Sequence, residues 1–270
     1  MKSKENNWRS ARTGIVAIAV VMIATLLIMP IPVLLLDILM SVNLILSFGI
    51  LVMVVRAQKI KDIPLLPTLV LLSVIYSLAV DISASRLILV KGEEFNGVLI
   101  RFVSGLVAGS GEIGLIVGFI VFIAITAFYV LVIVKGTVRI AEVAARFALD
   151  SLPGKQMAID AEFSAGTISE EEAKARKLEL QQECDFYGAL DGASRFISGS
   201  AKVEILITVI IIIAGALIDH GLRSKDVYDA IEAYAFLAIG SGILFMAPAG
   251  LISAAVGVIV AHARLTPYSP

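Results

Sequence analysis

Long, nearly uncharged apolar segments constrain this chain more than any other feature. Val33–Val55 and Ile113–Val134 each reach the ~18–20 residues that a helix needs to cross a bilayer. These segments do not alternate apolar and polar residues, as the strands of a membrane β-barrel would. Mean hydropathy is +0.95, and charged residues make up 17% of the chain, below the roughly 25% typical of soluble domains. The sequence therefore predicts an all-α, polytopic helical membrane protein.

The lengths of the apolar segments predict about 6–8 transmembrane segments with a helical cytoplasmic insert. Proline lacks the backbone N–H and kinks helices, so Pro30 and Pro32 predict a turn, and Pro248 predicts a broken helix in the last segment, which then forms two membrane segments. Residues 90–111 are expected to form an extracytoplasmic loop with a short interfacial helix, and residues 219–232 a polar loop. The expected spans are Thr13–Met29, Val33–Val55, a span from Pro67 to Val80 or Leu89, Ile113–Val134, Val203–Ile218 and Ala233–Ala263.

The distribution of Lys and Arg predicts a cytoplasmic N-terminus. Residues 1–12 carry four basic residues and residues 56–61 carry three, and positive charge favours the cytoplasmic side. We expect three regions: N-terminal transmembrane helices in 1–134, a cytoplasmic loop in 135–202 and C-terminal transmembrane helices in 203–270.

The polar block, Lys135–Lys202, contains nine Lys or Arg and eleven Asp or Glu. Its first part predicts an amphipathic helix, Val138–Asp150, that ends at Pro153-Gly154. The expected apolar face comprises Ile140, Val143, Ala144 and Phe147, and the expected ion pairs are Arg139–Glu142, Glu142–Arg146 and Arg146–Asp150.

The second part of the block has a helix start signal. Ser169 is followed three residues later by Glu172, the spacing of a capping box. A charged helix is expected from there to about Tyr187, followed by turns at Gly188 and Asp191-Gly192. The block is either a solvated helical insert or an element that senses a partner.

The composition argues against several functional classes. A net charge of −1 gives no electrostatic footprint for nucleic acid. A single cysteine, Cys184, and two histidines, His220 and His262, offer no metal-ligand spacing. Gly154-Lys155 lacks the other residues of a P-loop, and the GxSxG and HExxH motifs do not occur. We therefore expect no cofactor, no metal and no enzymatic activity.

Ionisable residues within apolar segments are costly in a bilayer and point to function. Asp37, Asp81, Arg86 and Glu204 are the candidates for a proton path. The alternatives are interfacial side chains or a structural ion pair, such as one between Asp81 and Arg86. Asn43 is expected to form an interhelical hydrogen bond.

Several stretches of the sequence suggest a family. Leu149–Asp160 reads LDSLPGKQMAID, and the segment from Arg139 to Asp160 resembles the signature of the FHIPEP family of flagellar and type III secretion export-gate proteins. The similarity covers nearly the whole chain, as the membrane half of that family. Other matching stretches are Met29–Pro32, Ser85–Leu89, Phe186–Gly188, Leu190–Phe196 and Leu251–Ala255.

This resemblance implies a protein of the bacterial inner membrane that forms a nonameric ring and couples proton-motive force to protein export. It implies contacts with other membrane proteins of the export apparatus. Substrates and chaperones would bind a large cytoplasmic domain that family members have beyond the point where this chain ends, at Pro270. The polar block would be the coupling loop, with Arg139, Glu142, Arg146, Asp150, Lys155, Asp160 and Asp191 as its candidate residues.

The chain departs from the family pattern at three polar positions. Ser200 stands where the family has an acidic residue, and Ser241 stands where it has Asp between two glycines. Asp81 replaces an Asn of the third span, and Glu204 follows Ser200 by one helical turn. These lost carboxylates leave two alternatives: either the chain has no proton path, or the path uses carboxylates at other positions.

Three other functions remain as alternatives. A structural ring or docking scaffold would tolerate neutral residues at Glu204, Asp37 or Asp81, whereas a proton conductor would not. A transporter of small solutes is disfavoured because the chain shows no internal repeat. An intramembrane enzyme is disfavoured because the chain has no recognisable catalytic motif.

Overall fold

The computed structural model describes residues 21–263 apart from residues 22, 27, 58–61 and 110, and nearly all of the described residues are helical. A 3₁₀ turn, Gly92–Glu94, follows the helix that ends at Lys91. A π-helical segment, Tyr129–Val134, precedes the helix that begins at Lys135. No strand occurs in this part of the chain, so the predicted all-α class is confirmed. The helices are α1 Val33–Arg56, α2 Leu66–Lys91, α3 Val98–Ala108, α4 Gly111–Phe128, α5 Lys135–Ser164, α6 Glu170–Arg223 and α7 Val227–Ala263.

The protein is a polytopic membrane protein. Among the described residues, 5 helical stretches are long and apolar enough to cross a bilayer, and Val98–Ala108 is a shorter apolar helix. Helix α2 extends to Lys91, in agreement with the longer of the two predicted ends of the third span. The first predicted span, Thr13–Met29, lies largely outside the described residues.

The turns predicted in the second half of the polar block are wrong. Helix α6 begins as predicted, because the Glu172 N–H donates to Ser169 Oγ at 3.1 Å. It then continues through Gly188 and Asp191-Gly192 to Arg223. A helical glycine costs only about 1 kcal/mol, whereas Leu190 on this stretch is fully buried. The predicted polar loop 219–232 is also mostly helical, with a break at residues 224–226.

Pro153 does not end its helix, contrary to the prediction. Helix α5 runs without interruption from Lys135 to Ser164. Proline removes the hydrogen bond to the carbonyl four residues earlier, on Leu149. Both Pro153 and Leu149 are exposed, so water can bond to this carbonyl and the helix continues.

Pro248 does not break the last helix either, so this part of the prediction is wrong. Helix α7 is continuous from Val227 to Ala263. Its glycines provide close packing: a Cβ on Gly240 would lie 2.2 Å from Ser104 Oγ of α3, and one on Gly242 would lie 2.7 Å from the Phe122 ring of α4. This close packing offsets the loss of one hydrogen bond at Pro248.

The predicted apolar face of α5 is wrong in part: Ala144 is buried as predicted, but its two largest members are exposed. Ile140 is 44% exposed and Phe147 is 61% exposed, whereas Ala141 and Ala145 are buried. Small side chains let helices approach closely, and the nearby Thr137 Oγ1 donates to the Ser253 carbonyl at 3.2 Å. The large apolar residues are therefore left on the outside of the helix.

The described helices form two compact units. The first unit comprises the described residues up to Leu46, together with Leu72–Ala127 and Ser200–Ala249. Its core joins side chains from α1, α2, α6 and α7, including Leu36, Ile88, Ile211 and Phe245.

The second unit comprises Ser47–Leu71, Phe128–Gly199 and the described residues from Gly250. It contains the charged hairpin, which we define as residues 150–187 of α5 and α6 with their connection. A small apolar cluster of Ile159, Ala173 and Leu180 lies within this hairpin.

Candidate functional site

Two acidic side chains are buried together in the first unit. Asp81, on α2, is 1% exposed, and Glu204, on α6, is 0% exposed. Their carboxyl groups lie close enough to interact electrostatically. The core residues around them bring α2 and α6 together, since Val80 and Ile207 pack in the same cluster. The structure thus unites two of the four residues predicted for a proton path.

Other polar groups lie buried in the same unit. The Asn43 amide of α1 donates to Ser77 Oγ of α2 at 2.9 Å, which confirms the predicted interhelical hydrogen bond. Ser200, one turn before Glu204, is 2% exposed. Ser241 is fully buried and donates to the Ala238 carbonyl at 3.3 Å. The positions that depart from the family pattern are therefore interior ones.

Asp37 has a structural role at a helix end. Its Oδ2 accepts a hydrogen bond from the Val98 N–H at 2.9 Å, and its Oδ1 accepts one from the Leu99 N–H at 3.4 Å. These are N–H groups of the first turn of α3, which have no partner within the helix and favour a negative charge. Asp37 therefore anchors α3 to α1.

Arg86 is a second structural contact, and the predicted pair with Asp81 is not formed. The Arg86 guanidinium donates to the Ile28 carbonyl at 2.9 Å and to the Met29 carbonyl. In a continuing helix the Ile28 carbonyl would bond the N–H of residue 32, but residue 32 is proline and has none, and the Met29 carbonyl lies past the end of the helical stretch. Asp81 lies with Glu204, away from this contact.

The candidate coupling residues form local ion pairs on the second unit. Glu142 binds both Arg139, at 3.1 Å, and Arg146, at 3.5 Å, so these two predicted pairs are confirmed. The third predicted pair, Arg146–Asp150, is wrong: Arg146 pairs with Glu142 instead, and Asp150 is exposed. The other candidates form the pairs Lys155–Glu183, Asp160–Lys177 and Asp191–Arg195.

The contacts within the charged hairpin link its two helices. The Lys177–Asp160 pair joins α6 to α5 at 2.5 Å, and Arg176 reaches Glu162 at 2.9 Å. In contrast, Arg139 and Arg146 are 69% and 65% exposed at the side chain. Most of the side-chain surface of Arg139 and Arg146 is therefore exposed.

A cluster that the sequence analysis missed surrounds Asp219. This carboxylate is fully buried; its Oδ1 accepts hydrogen bonds from Arg223 at 2.6 Å and from the Tyr234 hydroxyl at 3.0 Å. Lys225 lies 3.5 Å from Oδ2 and also pairs with Glu93. The one available sequence signal was the Asp219–Arg223 spacing of four at the end of an apolar segment.

The Asp219 cluster holds the turn after α2. Arg223 donates to the Val90 carbonyl at 2.6 Å. Gly92 has φ +57, and a Cβ there would lie 2.2 Å from the Arg223 guanidinium, so only glycine fits. The hydrogen bond with Glu93 raises the pKa of Lys225 above its ordinary value.

Metal-ligand geometry is absent from the described residues, where no three His, Cys, Asp or Glu residues converge. The Cys184 thiol is buried against the Ala148 carbonyl, at 3.4 Å.

The family model and the curated relatives that match this chain agree with one another. The FHIPEP family model matches residues 22–267. The Flagellar biosynthesis protein FlhA of Borreliella burgdorferi is 45% identical over 247 residues, which is 91% of this chain and 35% of the relative. The same-named protein of Treponema pallidum is 46% identical over 246 residues, with the same shares.

A more distant relative gives the same match. The Flagellar biosynthesis protein FlhA of Salmonella typhimurium is 40% identical over 261 residues, 94% of this chain and 37% of the relative. The chain thus spans roughly a third of the length of these relatives. No solved structure matches the chain.

Proposed function

Because the chain belongs to the FHIPEP family, we propose that it is the membrane part of a flagellar protein export apparatus in the bacterial inner membrane. The similarity to proteins named for flagellar biosynthesis extends over more than nine-tenths of the chain. The membrane-spanning helices support a place in the bilayer. In this proposal, copies of the chain form a ring, nonameric as in the family, beside other membrane proteins of the apparatus. Substrates and chaperones bind a domain beyond the matched region.

The buried pair of Asp81 and Glu204 carries the proposed mechanism, in which proton-motive force drives export. Two carboxylates that share a dry interior repel each other and are poorly solvated. The pair therefore holds one negative charge at much lower cost than two, and a proton shared between them can be taken up and released. We propose that this pair replaces the acidic residue absent at Ser200.

Proton flux into liposomes that carry the full chain tests this relay. A pH-sensitive dye inside the liposomes would report flux after a pH step. Flux is expected to fall at least about tenfold in Asp81→Asn and in Glu204→Gln, because loss of one carboxyl removes a step that general acid–base groups typically accelerate 10²–10⁴-fold. Glu171→Gln, which removes an exposed carboxylate on α6, is the matched control.

The outcomes separate the relay from the scaffold alternative. Equal flux from all four forms of the chain would exclude a relay through this pair. The contacts of Asp37 and Arg86 favour the scaffold alternative for those two residues, since both bond to backbone groups of neighbouring elements. A purely structural ring would show no flux in any form, and it would retain export in the neutral variants.

We further propose that the outward side of α5 transmits force or state to a neighbouring subunit or partner. The exposed Arg139 and Arg146 flank Glu142, and the exposed Ile140 and Phe147 lie on the same helix. Such a mixed surface of arginine and large apolar side chains is typical of protein interfaces.

Charge reversal tests this surface. In bacteria whose export apparatus contains the chain, Arg146→Glu is expected to reduce secretion of flagellar proteins severalfold, because like charges across an interface repel. Lys174→Glu makes the same charge change at an exposed site on α6 and is expected to retain secretion. Full secretion by Arg146→Glu would contradict the coupling role.

A further inference from the structure

A cavity of about 270 Å³ lies beside Asp81 in the first unit. Its walls are apolar, with Met40 of α1, Val80 of α2, Leu99 of α3 and Leu244 of α7 among its lining side chains. Its size is close to the lower end of the ≈300–1,000 Å³ range of small-molecule pockets. The cavity can therefore hold a molecule smaller than most drugs.

The mouth and the floor of this cavity differ in character. Leu44 and Ile45 line it and are 39% and 68% exposed. Both lie on α1, a helix that is long and apolar enough to span a bilayer, so the mouth opens at membrane depth. The floor includes Asn43 and Asp81, which are 3% and 1% exposed.

The floor presents an acceptor that needs a donor. Asp81 Oδ2 is buried and has no hydrogen-bond partner in the described part of the chain. A buried acceptor without a partner is costly, and more so when it is charged. The apolar walls favour an apolar body over water. An occupant that combines an apolar body with a donor head satisfies both ends of the cavity.

We propose that this cavity binds a small amphiphile that enters from the lipid phase, with a compact apolar body and one ammonium or other hydrogen-bond-donating head on Asp81. The apolar body contacts the walls formed by Val80, Leu99 and Leu244. The head donates to Asp81 Oδ2 and stabilises its charge. Bound in this way, the amphiphile occupies the open side of the Asp81 carboxyl. The proposal uses the same carboxyl as the proton relay but does not require that protons move.

Equilibrium binding of 1-aminoadamantane tests the proposal, because this probe is an apolar cage with a single ammonium. Radiolabelled probe would be titrated into liposomes that carry the full chain, and excess unlabelled probe would define partition into lipid. The expected result is one saturable site per chain. Asp81→Asn is expected to weaken binding at least about tenfold, since hydrogen bonds to charged groups contribute about 1.5–3 kcal/mol.

A mouth variant and its control keep the test independent of Asp81. Leu44→Trp blocks the mouth at a partly exposed position and is expected to abolish saturable binding. Ile38→Trp makes a comparable change on the exposed side of α1, where Ile38 is 51% exposed and does not line the cavity, and it is expected to bind as the parent chain does. Circular dichroism of each variant would confirm its helical content.

Three results would overturn the proposal. One is the absence of saturable binding to the parent chain, and another is equal binding by Leu44→Trp. The third is full affinity in Asp81→Asn with equal competition by adamantane, which lacks the head; the cavity would then hold a lipid chain. Flux that depends on Asp81 without probe binding would leave the relay intact and remove the ligand site. Probe binding without Asp81-dependent flux would support the ligand site and exclude the relay.

Discussion

At the scale of single residues, Asp219 organises a set of polar contacts that the sequence did not predict. It is buried between the end of α6 and the start of α7, and it accepts hydrogen bonds from Arg223 and Tyr234. Lys225 extends these contacts to Glu93. A buried carboxylate is tolerated because cations and a hydroxyl surround it, and removing it leaves the buried Tyr234 hydroxyl without its acceptor.

Two substitutions in the Asp219 cluster are expected to destabilise the protein by different amounts. Asp219→Ala is expected to lower the free energy of unfolding by about 2 kcal/mol, because it removes both hydrogen bonds and leaves the buried Tyr234 hydroxyl without its acceptor. Tyr234→Phe removes one hydrogen bond and is expected to cost about 1 kcal/mol. Glu94→Ala, at an exposed position, should remain within about 0.5 kcal/mol. Thermal unfolding in detergent micelles would measure all three, and equal melting temperatures for the first and third would contradict this ranking.

At the scale of elements, close helix packing explains why α7 stays intact across its glycines and Pro248. Gly240 lies against α3 and Gly242 against α4, at distances that leave no room for a side chain. Glycine in a soluble helix is a cost, but between membrane helices it permits backbone approach and dispersion contacts. The same residues that weaken the helix by propensity therefore stabilise it by packing.

Two glycines of α7 provide a matched test of this argument. Gly240→Ala is expected to destabilise the protein by about 1–3 kcal/mol, because the new methyl would overlap Ser104 Oγ and the Ile100 carbonyl. Gly257→Ala places a methyl where no atom lies within 4 Å, and it is expected to be neutral or to stabilise by up to ~1 kcal/mol. The same unfolding measurement compares them. A Gly240→Ala protein as stable as Gly257→Ala would contradict close packing at this position.

At the scale of the whole molecule, the length of α6 requires a part outside the membrane. Its 54 residues extend about 80 Å at 1.5 Å per residue, against a hydrocarbon core of about 30 Å. The apolar stretch 203–218 lies toward the Arg223 end, and the charged residues lie toward Glu170. A helix of this length extends beyond the bilayer, and its charged residues near Glu170 form the part that does so.

Cysteine accessibility would test the predicted cytoplasmic position of the polar block. In a Cys184→Ala background, Glu94→Cys marks the side of the Asp219 cluster, since its neighbour Glu93 pairs with Lys225. Glu171→Cys marks the start of α6. A membrane-impermeant maleimide added to intact spheroplasts is expected to label position 94, and to label position 171 only after permeabilisation. Labelling of both from the same side would contradict a single crossing by α6.

The sequence by itself determined the fold class and the start of α6. Apolar length, capping spacing and long motif runs are local properties, and the motif runs also determined the family. The interhelical hydrogen bond of Asn43 was predictable because an amide inside an apolar span needs a partner. The sequence also identified Asp81 and Glu204, since a charge in an apolar segment is costly wherever that segment packs. The sequence did not determine which polar groups meet, because partners such as Asp81 and Glu204 are more than a hundred residues apart. Only the tertiary structure placed these two carboxyls together and showed that Asp37 and Arg86 bond to backbone groups. Tertiary packing also explains why α5, α6 and α7 continue through prolines and glycines at which local propensity alone predicts a break.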